Sequence, residues 1–227
     1  MSISLQKNVD LTSSSLAVRH RVLRNTYWLL ALSLIPTVLG AVIGVQFHFP
    51  AFRGMMGFLL FMAVAFGFIW GIEKNKDSGL GVGLLLGFTF FMGLMLTPLL
   101  TRILGYSNGV TLIMGAFGGT ATIMAVMASI ATTSKRDFSF LGQWLFAGVI
   151  VLILASVAAI VFQMPALMVV LSVVAVVIFS GFLLFDVQRI INGGETNYVS
   201  ATLAIYLDLY NIFSNLLALL GLGGSRD

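Results

Sequence analysis

The chain predicts an all-α membrane protein, a bundle of seven transmembrane helices, and three observations carry that expectation. Of its 227 residues, 59% are hydrophobic and 9% charged, where a globular chain carries about 25% charged residues. Mean hydropathy is +1.06. That is more apolar surface than a soluble core of this length could hide, so lipid is the solvent for most of it. Apolar runs long enough to cross hydrocarbon, about 20 residues at a rise of about 1.5 Å each, recur almost from end to end.

Taken in order, residues 1–25 are polar and are expected as a cytoplasmic N-terminal tail. The first run, Tyr27–Gln46, is too long for a signal-peptide core and lacks a small-x-small cleavage site, so it is expected as a retained span. His48-Phe49-Pro50 separates it from Arg53–Ile72, and Glu73-Lys74-Asn75-Lys76-Asp77 leads into Gly79–Leu100. Arg102 through Asn108 connects to Gly109–Ala131, Thr132 through Asp137 to Phe140–Phe162, and Gln163-Met164-Pro165 to Ala166–Ile191. The seventh run, Asn197–Gly221, is long enough but more polar, and it either crosses or re-enters. No stretch reads as an interdomain linker or repeat, so residues 26–222 form one domain and 223–227 a short C-terminal tail.

Orientation follows from the connectors. With the N-terminus inside, Lys7, Arg19, Arg21, Arg24, Lys74, Lys76, Lys135, Arg136 and Arg189 are cytoplasmic. Arg53 and Arg102 fall outside, and Arg226 depends on the seventh run. The net charge of +4 comes from 12 Lys and Arg spread over short loops. A nucleic-acid partner would need a clustered basic face, so none is expected. Absence of Cys removes disulfides, thiolate metal sites and Cys nucleophiles. There is no HExxH or GxSxG, and His20 and His48 lie far apart, so no catalytic residue and no enzyme is expected. Gly79-Leu80-Gly81-Val82-Gly83 has the glycine density of a nucleotide loop but opens a span with no strand before it. Gly40/Gly44, Gly67/Gly71, Gly83/Gly87 and Gly115/Gly119 are GxxxG pairs, a spacing that lets helices approach closely in lipid.

A charge near the centre of a membrane helix costs about 2.5–3.5 kcal/mol on insertion scales, which makes each such residue a functional candidate. The set is Asp186, Arg189 and Asp208; Arg53, Glu73, Lys74 and Arg102 sit at span ends, where long side chains snorkel. Arg189 lies one turn after Asp186, so one expectation for Asp186 is an ion pair that stabilises the helix end. Asp208 lies about 11 residues into its helix, about 16 Å from the turn. Asn211 and Asn215 extend its face into a polar stripe, which must meet the bundle interior or water. Such a stripe serves interhelical hydrogen bonding or lines a polar pathway.

Asp186 is only about five residues from the end of its own helix, so a symmetric hairpin leaves the acids several Å out of step. A staggered turn closes that gap, and Gly193-Gly194 allows one. Glu195 falls beside the next helix's N-terminus, where the dipole favours a carboxylate. Carboxylates that do meet cannot easily both ionise and share one proton. Asp186 and Asp208 could also bind Ca²⁺ through oxygen.

At Phe185–Gly221, FDVQRIINGGETNYVSATLAIYLDLYNIFSNLLALLG, the chain resembles the closing segment of the Bax inhibitor family, the transmembrane Bax-inhibitor-motif group. Leu23-Arg24-Asn25-Thr26-Tyr27 and Asp137-Phe138-Ser139-Phe140-Leu141-Gly142 add to the likeness. It extends from about Val18 onward and is strongest toward the bacterial branch that includes the modulator of the AAA protease FtsH. The resemblance implies six helices around a central hydrophobic C-terminal one, in a bacterial inner membrane. It further implies a pH-sensitive calcium leak whose proton sensor is a pair of aspartates matching Asp186 and Asp208. Some relatives in the protease-modulator branch do not keep both acids. Relatives with a described gate use a basic latch on the second helix, and this second span has no basic residue in its interior. The implied partners are lipid, calcium ions and, as the alternative function, a membrane-bound AAA protease engaged through the N-terminal tail.

Overall fold

The computed structural model describes residues 2–49, 54–134 and 136–223, with side chains from Val18 in the first stretch and from Met56 in the second. Arg53, Lys135, Arg226 and Asp227 lie outside the described residues, as does the side chain of Lys7. The helices are α1 (Ser2–Gln46), α2 (Gly54–Lys74), α3 (Gly79–Met95), α4 (Thr97–Leu104), α5 (Gly109–Thr133), α6 (Leu141–Val161), α7 (Pro165–Ile191) and α8 (Tyr198–Leu220). A 3-10 turn, Gly221–Gly223, follows α8. The backbone of the polar N-terminal stretch is helical and continuous with the first span.

The expected third span, Gly79–Leu100, is corrected to two helices bent by 42° around Leu96. Pro98 is the cause. It has no N–H to donate to the carbonyl four residues back, which is that of Leu94, and the Thr97 hydroxyl donates to that carbonyl instead at 2.6 Å. The polar group freed by the proline is thus satisfied locally, as a chain in hydrocarbon requires.

Helix α8 is the axis of the bundle and packs against α1, α2, α3, α4, α5 and α7. Its start is tied to the α2–α3 turn, where the Asn197 amide donates to Asp77 Oδ1 at 2.7 Å. Its far end meets α4, with Gly221 against Ile103. At 23 residues it is about 34 Å long. It therefore runs the whole depth of the bundle rather than turning back, which decides the question the sequence left open.

Of the four GxxxG pairs, only Gly40/Gly44 makes a close backbone approach. A Cβ on Gly40 would meet the Phe90 carbonyl, one on Gly44 the Thr97 hydroxyl, and one on Gly93 of α3 the Thr37 carbonyl. Gly67 and Gly83 face open space, while Gly115 and Gly119 receive the Leu220 and Leu216 side chains. Where α1 and α3 touch, Tyr206 of α8 joins both, with its hydroxyl 2.9 Å from Thr37 Oγ1 and donating to the Thr89 carbonyl at 3.4 Å.

Among the described residues, every Lys and Arg except Arg102 lies toward the end that holds the α2–α3, α5–α6 and α7–α8 turns. Trp28, Trp70 and Trp144 lie nearer the same end and are exposed, as aromatic side chains at a membrane–water interface are. We call it the basic end.

Gly93→Ala must push a methyl group into the Thr37 backbone and is expected to cost about 1–3 kcal/mol, the usual range for overpacking. Gly67→Ala, which meets nothing, should leave stability unchanged or slightly higher. Thermal unfolding of both variants in detergent checks the contrast.

A buried carboxyl pair beside a polar cleft

Helices α7 and α8 bring the two sequence-singled acids together. The carboxyl groups of Asp186 and Asp208 lie within hydrogen-bonding range of one another. Asp208 is 4% exposed, and Asp186 is half-buried. Asp186 stands five residues before the last residue of α7 and Asp208 ten after the first of α8, about 8 and 15 Å respectively. Their contact therefore sets the start of α8 about 7 Å beyond the end of α7. The segment Asn192–Asn197 spans that step and turns at Gly193, whose φ of 77° suits glycine.

The side chains around the turn hold this stagger. Glu195 Oε1 accepts from the backbone N–H groups of Thr196 and Asn197, each at 2.9 Å. Asn197 caps α8 by accepting from Val199 N at 2.8 Å and Ser200 N at 3.2 Å. Arg189 pairs with Glu195 at 3.5 Å and donates to the Gly194 carbonyl. The expected partner for Asp186 is thus corrected. Arg189 turns outward to the acid on the turn, because one helical turn toward the basic end takes its long side chain to water. Asp186 has the second carboxyl as its direct neighbour.

Three further side chains lock the same region, and the sequence reading had not assigned them. Gln188 is buried; its Nε2 donates to the Arg136 carbonyl and its Oε1 accepts from Phe138 N, both at 2.7 Å. It clamps the α5–α6 connector to α7. Arg19 donates to the Ile191 carbonyl at 3.4 Å, a cation at a helix C-terminus where the dipole favours one. Asn197 links the turn to Asp77. Only Asn197 carried a signal, as an Asn directly before an apolar helical run. Outside the spans, the hydrogen bond from Lys76 to Glu73, at 3.1 Å, holds the ammonium above its ordinary range. Hydrogen bonds from Ser139 hold the Asp137 carboxyl below its own.

One of two cavities reaches the pair. A cleft of about 370 Å³ opens at the basic end, with Glu73, Lys76, Arg189 and Glu195 at its rim and Asp186 and Ser200 in its lining. A larger cavity of about 790 Å³ lies between α6, α7 and α8 and reaches Asn211 and Asn215. Asn211 donates back to the Leu207 carbonyl and Asn215 to that of Asn211, both at 2.8 Å. Of the four buried side-chain oxygens without a hydrogen-bond partner among the described residues, two lie here, Ser200 Oγ beside the cleft and Asp208 Oδ2 in the pair. Two ionised carboxylates offer each other only acceptors. A proton or a cation between them removes the conflict.

This arrangement defines a class, the polytopic helical membrane proteins that bury an acid pair on their last two helices. The family described as "Inhibitor of apoptosis-promoting Bax1" matches residues 19–226, and the chain belongs to this Bax inhibitor family. It is 38% identical over 214 residues to the modulator of FtsH protease YccA of Escherichia coli K12, covering 94% of this chain and 95% of the relative. It has the same identity and coverage with a protein called inner membrane protein YccA in E. coli O6:H1. With a membrane protein of Vibrio cholerae it shares 35% identity over 208 residues, 92% of each chain.

Asn197→Ala removes the cap of α8 and the link to Asp77. A loss of about 1 kcal/mol is expected, within the usual range for N-cap removal, as read by thermal unfolding. Asn197→Asp should keep the cap and recover most of that loss.

Proposed function

We propose that the protein is a pH-regulated cation leak, with Ca²⁺ as cargo and the Asp186–Asp208 pair as its proton sensor. The observation that carries this reading is the contact of two carboxyls, one of which, Asp186, lines the cleft that opens at the basic end. When one proton is shared, the pair ties α7 to α8. When the proton leaves, two like charges face each other in a site of low dielectric and the tie becomes a repulsion. The charged groups around the cleft beside the pair are Arg189 of α7, Glu195 of the α7–α8 turn, Glu73 of α2 and Lys76 of the α2–α3 turn. Tyr206 and Tyr210 share its helix, and α5 contributes no ionisable side chain.

Among the described residues no group of three or more acids or histidines is placed to hold a metal. A resident Ca²⁺ takes about six to eight oxygens, so the ion in this proposal passes the pair rather than residing there. The basic end faces the cytoplasm of a bacterial cell with the N-terminus inside, since Lys and Arg favour that side. The relative named an inner membrane protein supports that location.

Ca²⁺ flux into liposomes should change with pH. Asp208→Asn should flatten that response while leaving a folded protein, because the amide keeps the shape and removes the titration. Asp186→Asn should do the same. Flux that is absent in the parent protein, or a pH response indifferent to both substitutions, overturns the proposal.

A second reading rests on a different observation, the 38% identity to a named modulator of FtsH protease. On this reading the protein restrains a membrane-bound AAA protease, and the N-terminal segment is what the protease engages. Deleting residues 2–20 should then abolish the effect on proteolysis while the helix bundle stays folded. A deleted protein that still co-purifies with the protease and inhibits it removes this reading.

A further inference from the structure

The larger cavity stands apart from the ion route proposed above, since neither aspartate lines it. It holds about 790 Å³, room for about 25 waters at their liquid volume of about 30 Å³ each. Yet Leu152, Ile153 and Ile160 of α6 face Met168, Ala175 and Phe179 of α7 across it. Ser156 and Ser172 add hydroxyls to these walls, but walls so largely apolar favour hydrocarbon over water. The amide N–H groups of Asn211 and Asn215 are spent on α8's own carbonyls, which softens the polarity of the third wall. Helix α6 packs chiefly on α7, so the space beside it stays unfilled by protein. In a bilayer, hydrocarbon is at hand to enter it.

The polar feature at the end of the cavity away from the basic end is Arg102, on the short helix α4 that the Pro98 break turns aside. It is exposed and is the one Lys or Arg at that end among the described residues. Its Nε donates to the Tyr106 hydroxyl at 3.3 Å, which fixes the plane of the guanidinium. Its terminal nitrogens make no hydrogen bond among the described residues. A planar guanidinium at the mouth of an apolar groove matches a phosphate diester, which it can bind through two parallel bonds.

We propose that this cavity is a binding site for one anionic phospholipid, with the phosphate on Arg102 and an acyl chain between α6, α7 and α8 ending near Asn211. The lipid fills the largely apolar space and gives α6 a second surface to pack on. This inference concerns lipid retention and stands apart from whether ions cross.

The test is native mass spectrometry of the full chain, released from detergent in the presence of equal amounts of phosphatidylglycerol and phosphatidylcholine. Retention of one phosphatidylglycerol in preference to phosphatidylcholine is expected. Arg102→Gln should weaken it about tenfold or more, the loss for one charge-assisted hydrogen bond, and Arg102→Lys should keep part of the preference. Equal retention of the two lipids by the parent protein overturns the proposal, whatever the variants do. So does undiminished preference in a folded Arg102→Gln. Because the chain has no Cys, Ser172→Cys gives a second readout. In lipid vesicles it should resist a water-soluble methanethiosulfonate, and labelling at the rate of an exposed thiol would mean a water-filled cavity and end the proposal.

Discussion

A carboxyl group carried into hydrocarbon is the constraint on which the rest of this structure depends. Asp208 cannot face lipid without a cost of about 2.5–3.5 kcal/mol, so the helix that bears it must be wrapped by the others. That single requirement places α8 at the centre, with α1, α2, α3, α4, α5 and α7 against it. It also gives each face of α8 a task. Tyr206 bonds to α1 and reaches α3, Leu216 and Leu220 fill the glycine face of α5, and Asp208 meets α7.

Once α8 is central, the stagger of the final hairpin becomes the critical geometry. Six residues from Asn192 to Asn197 set the acids level, and they do so through a network whose members are mostly not ionisable. Gln188, Asn197 and the backbone around Glu195 fix the turn. Arg19 brings the start of the first membrane span onto the end of α7. The N-terminal helix thus touches the end of the helix that carries Asp186. The two proposed readings, one centred on the pair and one on the N-terminal segment, therefore concern structurally connected regions.

The other end of the bundle is built on a different principle. There the chain breaks at Pro98, Thr97 satisfies the carbonyl left over, and α4 turns Arg102 toward the mouth of the larger cavity. Close contact of α1 with α3 through Gly40, Gly44 and Gly93 makes one side of the bundle dense. The α6 side stays open by comparison. That asymmetry leaves room for lipid on one flank and for a rigid seam on the other.

The sequence by itself determined the fold class, the number of long apolar segments, the clustering of positive charge and the presence of two acids within the last two apolar segments. Each is a local property of composition or spacing, and lipid as solvent makes such properties unusually legible. The Glu195 position was also readable, because a helix N-terminus attracts a carboxylate wherever it lies. The tertiary structure alone decided which of four GxxxG pairs is a contact, since glycine spacing is shared by helices that meet backbone, side chains or nothing. It decided that Arg189 serves Glu195 rather than Asp186, because helical spacing gives proximity but not the direction a long side chain takes. It also decided that Asp186 and Asp208 meet, since the step between α7 and α8 comes from a turn held by Gln188, Arg19 and Asp77, contacts up to 172 positions apart in the chain.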